Sequence, residues 1–235
     1  MDKHQIIVGN GAAELLYAIC RLPGYTGAFV PAPGFSEYKE ALEASKIPVR
    51  DIFYRPREDD NGKPYFEVPY LALETFAAEL KGQDGRIIVF LGNPNNPDGT
   101  LLDKDHIRTV ASMLKDANSL LVIDESFIDF VGNDPLQDNE HSMRSLVNEF
   151  DNIIVVHSFT KFYAVPGLRI GAAFANETLI TQLQQYIPSW SVNTLAQAYT
   201  KAALNDVDYI KRTKQELNEE RAFMYNALDD IEGIT

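Results

Sequence analysis

Short apolar runs alternate along this chain with longer stretches in which apolar residues recur every three or four positions. QIIVGNG reads as a strand that ends in a glycine-rich turn, and AAELLYAICRL follows with helical spacing. GAFVP is a second short buried strand, and GFSEYKEALEAS a helix with its charges on one face. IPVRDIFY predicts a third strand, and REDDNGKPYFEV a polar hairpin turning at Asn61-Gly62. LALETFAAEL is helical, RIIVFLG is a buried strand, and NPNNPDGT is turn chemistry throughout. DKDHIRTVASMLKDA predicts a helix capped by Asp103. SLLVIDES, DNIIVVHSF and LRIGAAFA are further strands, and the remainder is mostly helical through NALDDIEG.

Strands that are apolar at every position need cover on both faces. Their alternation with helices therefore predicts an α/β fold, three layers deep, around a mostly parallel central sheet. Ligands in such sheets sit at the carboxyl ends of the strands. Gly9 to Ala13, Asn93 to Gly99, Asp124, and Ser158 to Lys161 all fall there.

Composition narrows the classes. The 235 residues, 45% of them hydrophobic, suffice for one sizeable core. A single cysteine, Cys20, excludes an internal disulfide framework and a cysteine-based metal cluster, and no metal site is expected. No apolar run approaches the roughly 20 residues needed to cross a bilayer, and MDKHQIIVGNG lacks the apolar core of a signal peptide. A cytoplasmic protein without a membrane partner is the expectation. The formal charge of −13 argues against a nucleic-acid partner, which needs a basic face. Any phosphate must be held by a local pocket against the overall field.

Three stretches carry candidate chemistry. GNGAAELL is either a phosphate seat, using backbone N–H groups at Gly11, Ala12 and Ala13, or an ordinary strand–helix turn. It lacks the third glycine of a dinucleotide fingerprint. Asp124, ending VIDES, needs a partner if buried: a cationic ring nitrogen, or the donors of a capped loop. Lys161, in HSFTKFYAVPGLRIG, becomes a nucleophile if its neighbours desolvate it, and Phe159, Phe162 and Tyr163 are placed to do so. Ser158 and Arg169 in the same stretch suit a phosphate.

The order of these stretches resembles the fold-type I pyridoxal-phosphate enzymes of the class I/II aminotransferase family. GNGAAE, PAPGFSEY, NPNNPDGT, VIDESFIDF and SFTKFYAVPGLRIG follow one another over residues 8 to 171, with Arg169 eight positions after Lys161. The resemblance implies pyridoxal 5′-phosphate as cofactor, bound by Lys161 as a Schiff base, with Lys161 then moving the proton. It implies that Asp124 pairs with the pyridine nitrogen, that Asn96 hydrogen-bonds the ring 3-oxygen, and that Phe35 stacks on the ring. Gly11, Ala12 and Ala13, with Ser158, Thr160 and Arg169, would hold the phosphate. Phe127 replaces the tyrosine that aminotransferases of this group place there, and Ala12-Ala13 replaces the commoner Ser-Asp.

Phe127, PGFSEY and WSVNTLAQA are similar to the threonine-phosphate decarboxylases of cobalamin biosynthesis, which act on a phosphorylated amino acid. Histidinol-phosphate aminotransferases, which pass the amino group to 2-oxoglutarate, are the alternative. The resemblance further implies a homodimer, and a chain truncated at both ends. Residues 1–220 would form the cofactor-binding large domain and residues 221–235 the start of a small domain otherwise absent. The carboxylate-binding arginine of the family would then be missing, since Arg212 and Arg221 lie in a charged run that reads as a solvated face or a dimer-facing helix. A cofactor-binding but catalytically incomplete domain is the third expectation.

Overall fold

The computed structural model describes residues 1–60, 62–82, 85–132, 139–229 and 231. In chain order the elements are β1 (Ile6–Gly9), α1 (Gly11–Cys20), β2 (Tyr25–Ala32), α2 (Glu37–Ala44) and β3 (Val49–Phe53). A hairpin of β4 (Arg55–Glu58) and β5 (Pro64–Glu67) leads to α3 (Tyr70–Leu80), β6 (Arg86–Gly92) and α4 (Lys104–Asp116). Then come β7 (Leu120–Asp124), β8 (Ile153–Ser158), the single turn α5 (Phe159–Phe162) and β9 (Gly171–Phe174). Helices α6 (Glu177–Gln184), α7 (Thr194–Ala203) and α8 (Val207–Asp229) complete the described chain. No helix among the described residues is long and apolar enough to cross a membrane.

Seven strands form one sheet in the order β1-β9-β8-β7-β6-β2-β3. The even apolarity of its strands has the expected cause. In β7, Leu120 and Val122 face a core built with α1, α2 and α6, while Leu121 and Ile123 face a second core built with α3 and α4. Phe90 and Val89 of β6 divide in the same way. Helix α4 buries Ile107, Val110, Ala111 and Leu114, one stripe at helical spacing. Asp103 caps it, accepting from the N–H groups of Asp105 and His106 at 3.0 and 2.9 Å. The hairpin pairs as expected, and Gly62 closes its turn at φ +77° with its N–H on the Asp59 carbonyl; Asn61 lies outside the described residues.

The sheet is parallel from β3 through β8, and β9 enters reversed, antiparallel to both β8 and β1. Between β8 and β9 the chain has only one helical turn and a loop, too little for a helix-covered parallel crossover. β9 also starts later than the run LRIGAAFA predicts, at Gly171. Arg169 sits at φ +57°, outside the extended region, and interrupts the strand before it begins.

The reversal places Gly171 beside Ser158 and Gly9, so three strand ends meet in register. A Cβ on Gly171 would stand 2.6 Å from the Ala12 nitrogen and 2.8 Å from the His157 carbonyl oxygen. Both are backbone atoms that cannot swing away. Gly171→Ala is therefore expected to destabilise the fold by about 1–3 kcal/mol. Urea denaturation checks this, and an unchanged midpoint would contradict it.

Candidate active site

The ends of β1, β6, β7 and β8 and the start of β9 share one edge of the sheet, because Gly92 pairs with Asp124, Asp124 with Val156, and Ser158 with Gly171. A cleft of about 100 Å³ opens there. Ala12, Ala13, Phe35, Asn96, Asp124 and Phe127 line it, as do Ser158, Thr160, Lys161 and Arg169. Gly11 stands just behind, packed against the Arg169 guanidinium at φ +82°. The structure thus brings every candidate residue to one place. A larger cavity of about 940 Å³, between the β4–β5 hairpin and α3, holds none of them.

Asp124 is 7% exposed. Its carboxylate accepts from the Tyr38 hydroxyl at 3.0 Å, and from the Ser126 N–H and hydroxyl at 2.9 and 2.6 Å. All three donors are neutral, and no ion pair reaches Asp124 among the described residues. Burial, and then the facing carboxylate, push the Tyr38 pKa well above its usual value, so the phenol stays a donor. Tyr38 also stacks on Phe90 at 5.2 Å and meets Phe35 edge-on at 5.6 Å. The first contact holds the phenol in place; the second supports the Phe35 ring at the mouth of the cleft.

Lys161 is exposed, which departs from expectation. Phe162 and Tyr163 are buried and pack on Tyr209 of α8, and Phe159 packs toward the sheet, since successive helical residues point in different directions. The aromatic neighbour of the amine is Phe127 instead, with Lys161 Nζ 5.6 Å from the ring centroid.

Also lining the cleft, the buried hydroxyls of Ser158 and Thr160 stand 2.7 Å apart. Arg169 donates through Nη1 to the Pro166 carbonyl at 2.9 Å and reaches Gly11 at the start of α1. A helix N-terminus, two hydroxyls and a guanidinium are together an anion-binding set.

Three asparagines of the NPNNPDGT loop have separate tasks. Asn93 is fully buried and ties the loop to Glu125, to the His141 carbonyl and to the Leu102 N–H. Asn95 donates to the Pro33 carbonyl at 3.0 Å and to Asp98 at 2.6 Å. Asn96 remains, half-buried and facing the cleft. Sequence reasoning missed Tyr38 and Ser126, although both carry a signal. Tyr38 follows Phe35 by three residues on the way into α2, and Ser126 follows Asp124 by two, the spacing of a side-chain-capped turn.

Behind Ser158, the buried His157 meets Asp129 at 3.1 Å. Burial pushes the Asp129 pKa up, but His157, Arg144 and Lys214 outweigh it and hold the carboxyl below its usual 3.8. A lowered acid contributes stability above its unfolded value and loses it as pH falls through the folded one. Asp129→Asn is expected to cost about 1–3 kcal/mol at neutral pH. The deficit should shrink once the pH drops below about 3.8. Denaturation curves across that range check it, and a deficit independent of pH would contradict it.

The chain is similar to known proteins over most of its length. The chain is 35% identical over 214 residues to an adenosylcobalamin biosynthesis bifunctional protein of Leptospira interrogans, covering 91% of this chain and 23% of that one. It is 31% identical over 236 residues to a threonine-phosphate decarboxylase of Salmonella typhimurium, covering 98% of this chain and 58% of the other. The solved histidinol-phosphate aminotransferase of Clostridium acetobutylicum superposes with a TM-score of 0.81 over 97% of this chain and 62% of that one, at 24% identity. That likeness shows the fold, fold type I. The chain thus spans less than two thirds of the length of each of these relatives. The family model described as "Aminotransferase class I and II" matches residues 1–235, and the chain belongs to that family.

Proposed function

We propose that this chain binds pyridoxal phosphate through Lys161 and serves the decarboxylation of a phosphorylated amino acid. The observation that carries the reading is Asp124, a buried carboxylate whose donors among the described residues are neutral, sharing one cleft with an amine and an anion seat. That donor set fits the cofactor at each of its ends. Asp124 would hold the protonated pyridine nitrogen. Arg169, Ser158, Thr160 and the N–H groups of Ala12 and Ala13 would hold the phosphate. Lys161 Nζ would take the aldehyde.

Pyridoxal phosphate, when bound, supplies an electron sink for the pair left by a bond breaking at the amino-acid Cα. The chain's residues do the rest. Asp124, positioned by Tyr38 and Ser126, would keep the ring nitrogen charged. Phe35 would wall one face of the ring, and Asn96 would donate toward its 3-oxygen. Phe127 has no hydroxyl to offer, so Asn96 would make that contact without help from this position. Lys161 delivers or removes the proton at Cα. Which Cα bond breaks depends on the orientation in which the substrate is held. Decarboxylation is favoured by Phe127 and by the decarboxylase among the relatives. Amino-group transfer to 2-oxoglutarate is the second reading, favoured by the histidinol-phosphate aminotransferases among the sequence relatives.

We also infer that the chain pairs with a second copy. Trp190, ahead of α7, is 97% exposed and Leu195, within it, 72%, apolar surface that association would cover.

Incubation with pyridoxal phosphate followed by borohydride reduction is expected to leave one covalent adduct, on the peptide holding Lys161, and none in Lys161→Ala. Adducts scattered over several lysines would contradict the reading. With O-phosphothreonine, CO2 release without keto-acid consumption marks decarboxylation. Dependence on 2-oxoglutarate marks transfer, and an adduct without turnover marks a cofactor-binding unit that needs the rest of a longer protein.

A further inference from the structure

Helix α8 is a built wall beside the cleft. Lys214, Asn218, Arg221 and Tyr225 follow at steps of four, three and four, which puts them on one helical face. Lys214 Nζ donates to the carbonyls of Val131 and Gly132 at 3.2 and 3.1 Å, and so docks that face on the loop after β7. Asn218, Arg221 and Tyr225 then look across a cavity of about 500 Å³ at Pro94, Gly99 and Phe127. Pro94 and Phe127 also line the catalytic cleft, so the two spaces adjoin. Arg221 is exposed, as a solvated face implies, and it also borders this cavity. Periodicity alone gives no direction to a helix without buried residues; the Lys214 contacts give it one.

Arg221 has no ion pair and no hydrogen bond among the described residues, in a chain where 34 acidic residues face 21 basic ones. Asp98 is the acidic residue on the cavity wall, and it is engaged already by Asn95 and by the Thr100 N–H. A guanidinium with its donors unspent is suited to a bidentate grip on an oxyanion. The Asn218 amide and the Tyr225 hydroxyl add neutral donors on the same face.

We propose that Arg221, flanked by Asn218 and Tyr225, is a specificity-determining residue that holds the phosphate at the side-chain end of the substrate. The inference rests on the cofactor reading above and names the part of the substrate that reading leaves open. The reacting Cα lies at Lys161, on one side of Phe127. The phosphate end then extends past Phe127 into the α8 cavity. The cofactor's own phosphate is held separately, by Arg169 at the start of α1.

Calorimetric titration of the cofactor-loaded protein with O-phosphothreonine and with threonine tests this. The unmodified protein should bind the phosphorylated ligand more tightly. Arg221→Gln should weaken O-phosphothreonine about ten- to a hundredfold and leave threonine unchanged. Arg221→Lys should recover part of the loss, because it keeps the charge and loses the fork. The Lys161 adduct, read from its absorption, should be the same in all three proteins. A preference for O-phosphothreonine that survives in Arg221→Gln would overturn the proposal, as would an unmodified protein with no preference. Equal weakening of both ligands would overturn it too, placing Arg221 on the α-carboxylate instead. In each of those cases an intact Lys161 adduct leaves the cofactor reading standing. An unmodified protein that forms no adduct removes the cofactor reading and this inference together.

Discussion

The site is organised around one buried carboxylate. Asp124 ends a strand whose every residue is buried, and the three donors that reach it are uncharged. Hydrogen bonds offset part of the cost of removing the charge from water, but they do not neutralise it. The cleft is therefore left with a standing preference for a cation against Asp124. Tyr38 arrives from α2, is itself fixed on Phe90, and supports Phe35 in turn. Ser126 arrives from the turn after the strand. A central strand, a helix and a turn are all used to hold two oxygen atoms.

The anion seat in the same cleft solves the reverse problem. The chain carries a charge of −13, so an anion needs local donors aimed at one point. The reversed strand β9 supplies the geometry. It brings Gly171 against Ala12 and leaves Arg169, just before it, at the start of α1. Gly11 has no side chain to block that guanidinium. A carboxylate and an oxyanion seat define the polarity of whatever the cleft holds, and Lys161 lines the same cleft.

Much of this was legible in the residues. Strands apolar at every position announced a sheet covered on both faces, and the two cores on either side of β7 are the reason. The order of GNGAAE, NPNNPDGT, VIDES and SFTKFYAVPGLRIG carried the family, and the fold brings the candidate residues it singled out to one cleft. Contacts that depend on tertiary placement were not legible. Nothing in SFTKFY says which aromatic ring meets Lys161; the answer came from Phe127, in the turn after β7. Tyr38 and Ser126 looked like ordinary members of a helix start and a turn. The strand LRIGAAFA was shortened by one residue's backbone, at Arg169. Helix α8 has no buried residue to orient it, so only the Lys214 contacts reveal which face it turns to the site.

The central claim is that Asp124 exists to hold a cationic ring nitrogen. Nitrogen-15 NMR of the protein loaded with pyridoxal phosphate labelled at the ring nitrogen tests it most directly. The account predicts a protonated pyridinium signal at neutral pH that moves to the unprotonated position in Asp124→Ala while the link to Lys161 persists. An unprotonated ring nitrogen in the unmodified protein, or a protonated one that ignores the loss of Asp124, would contradict it.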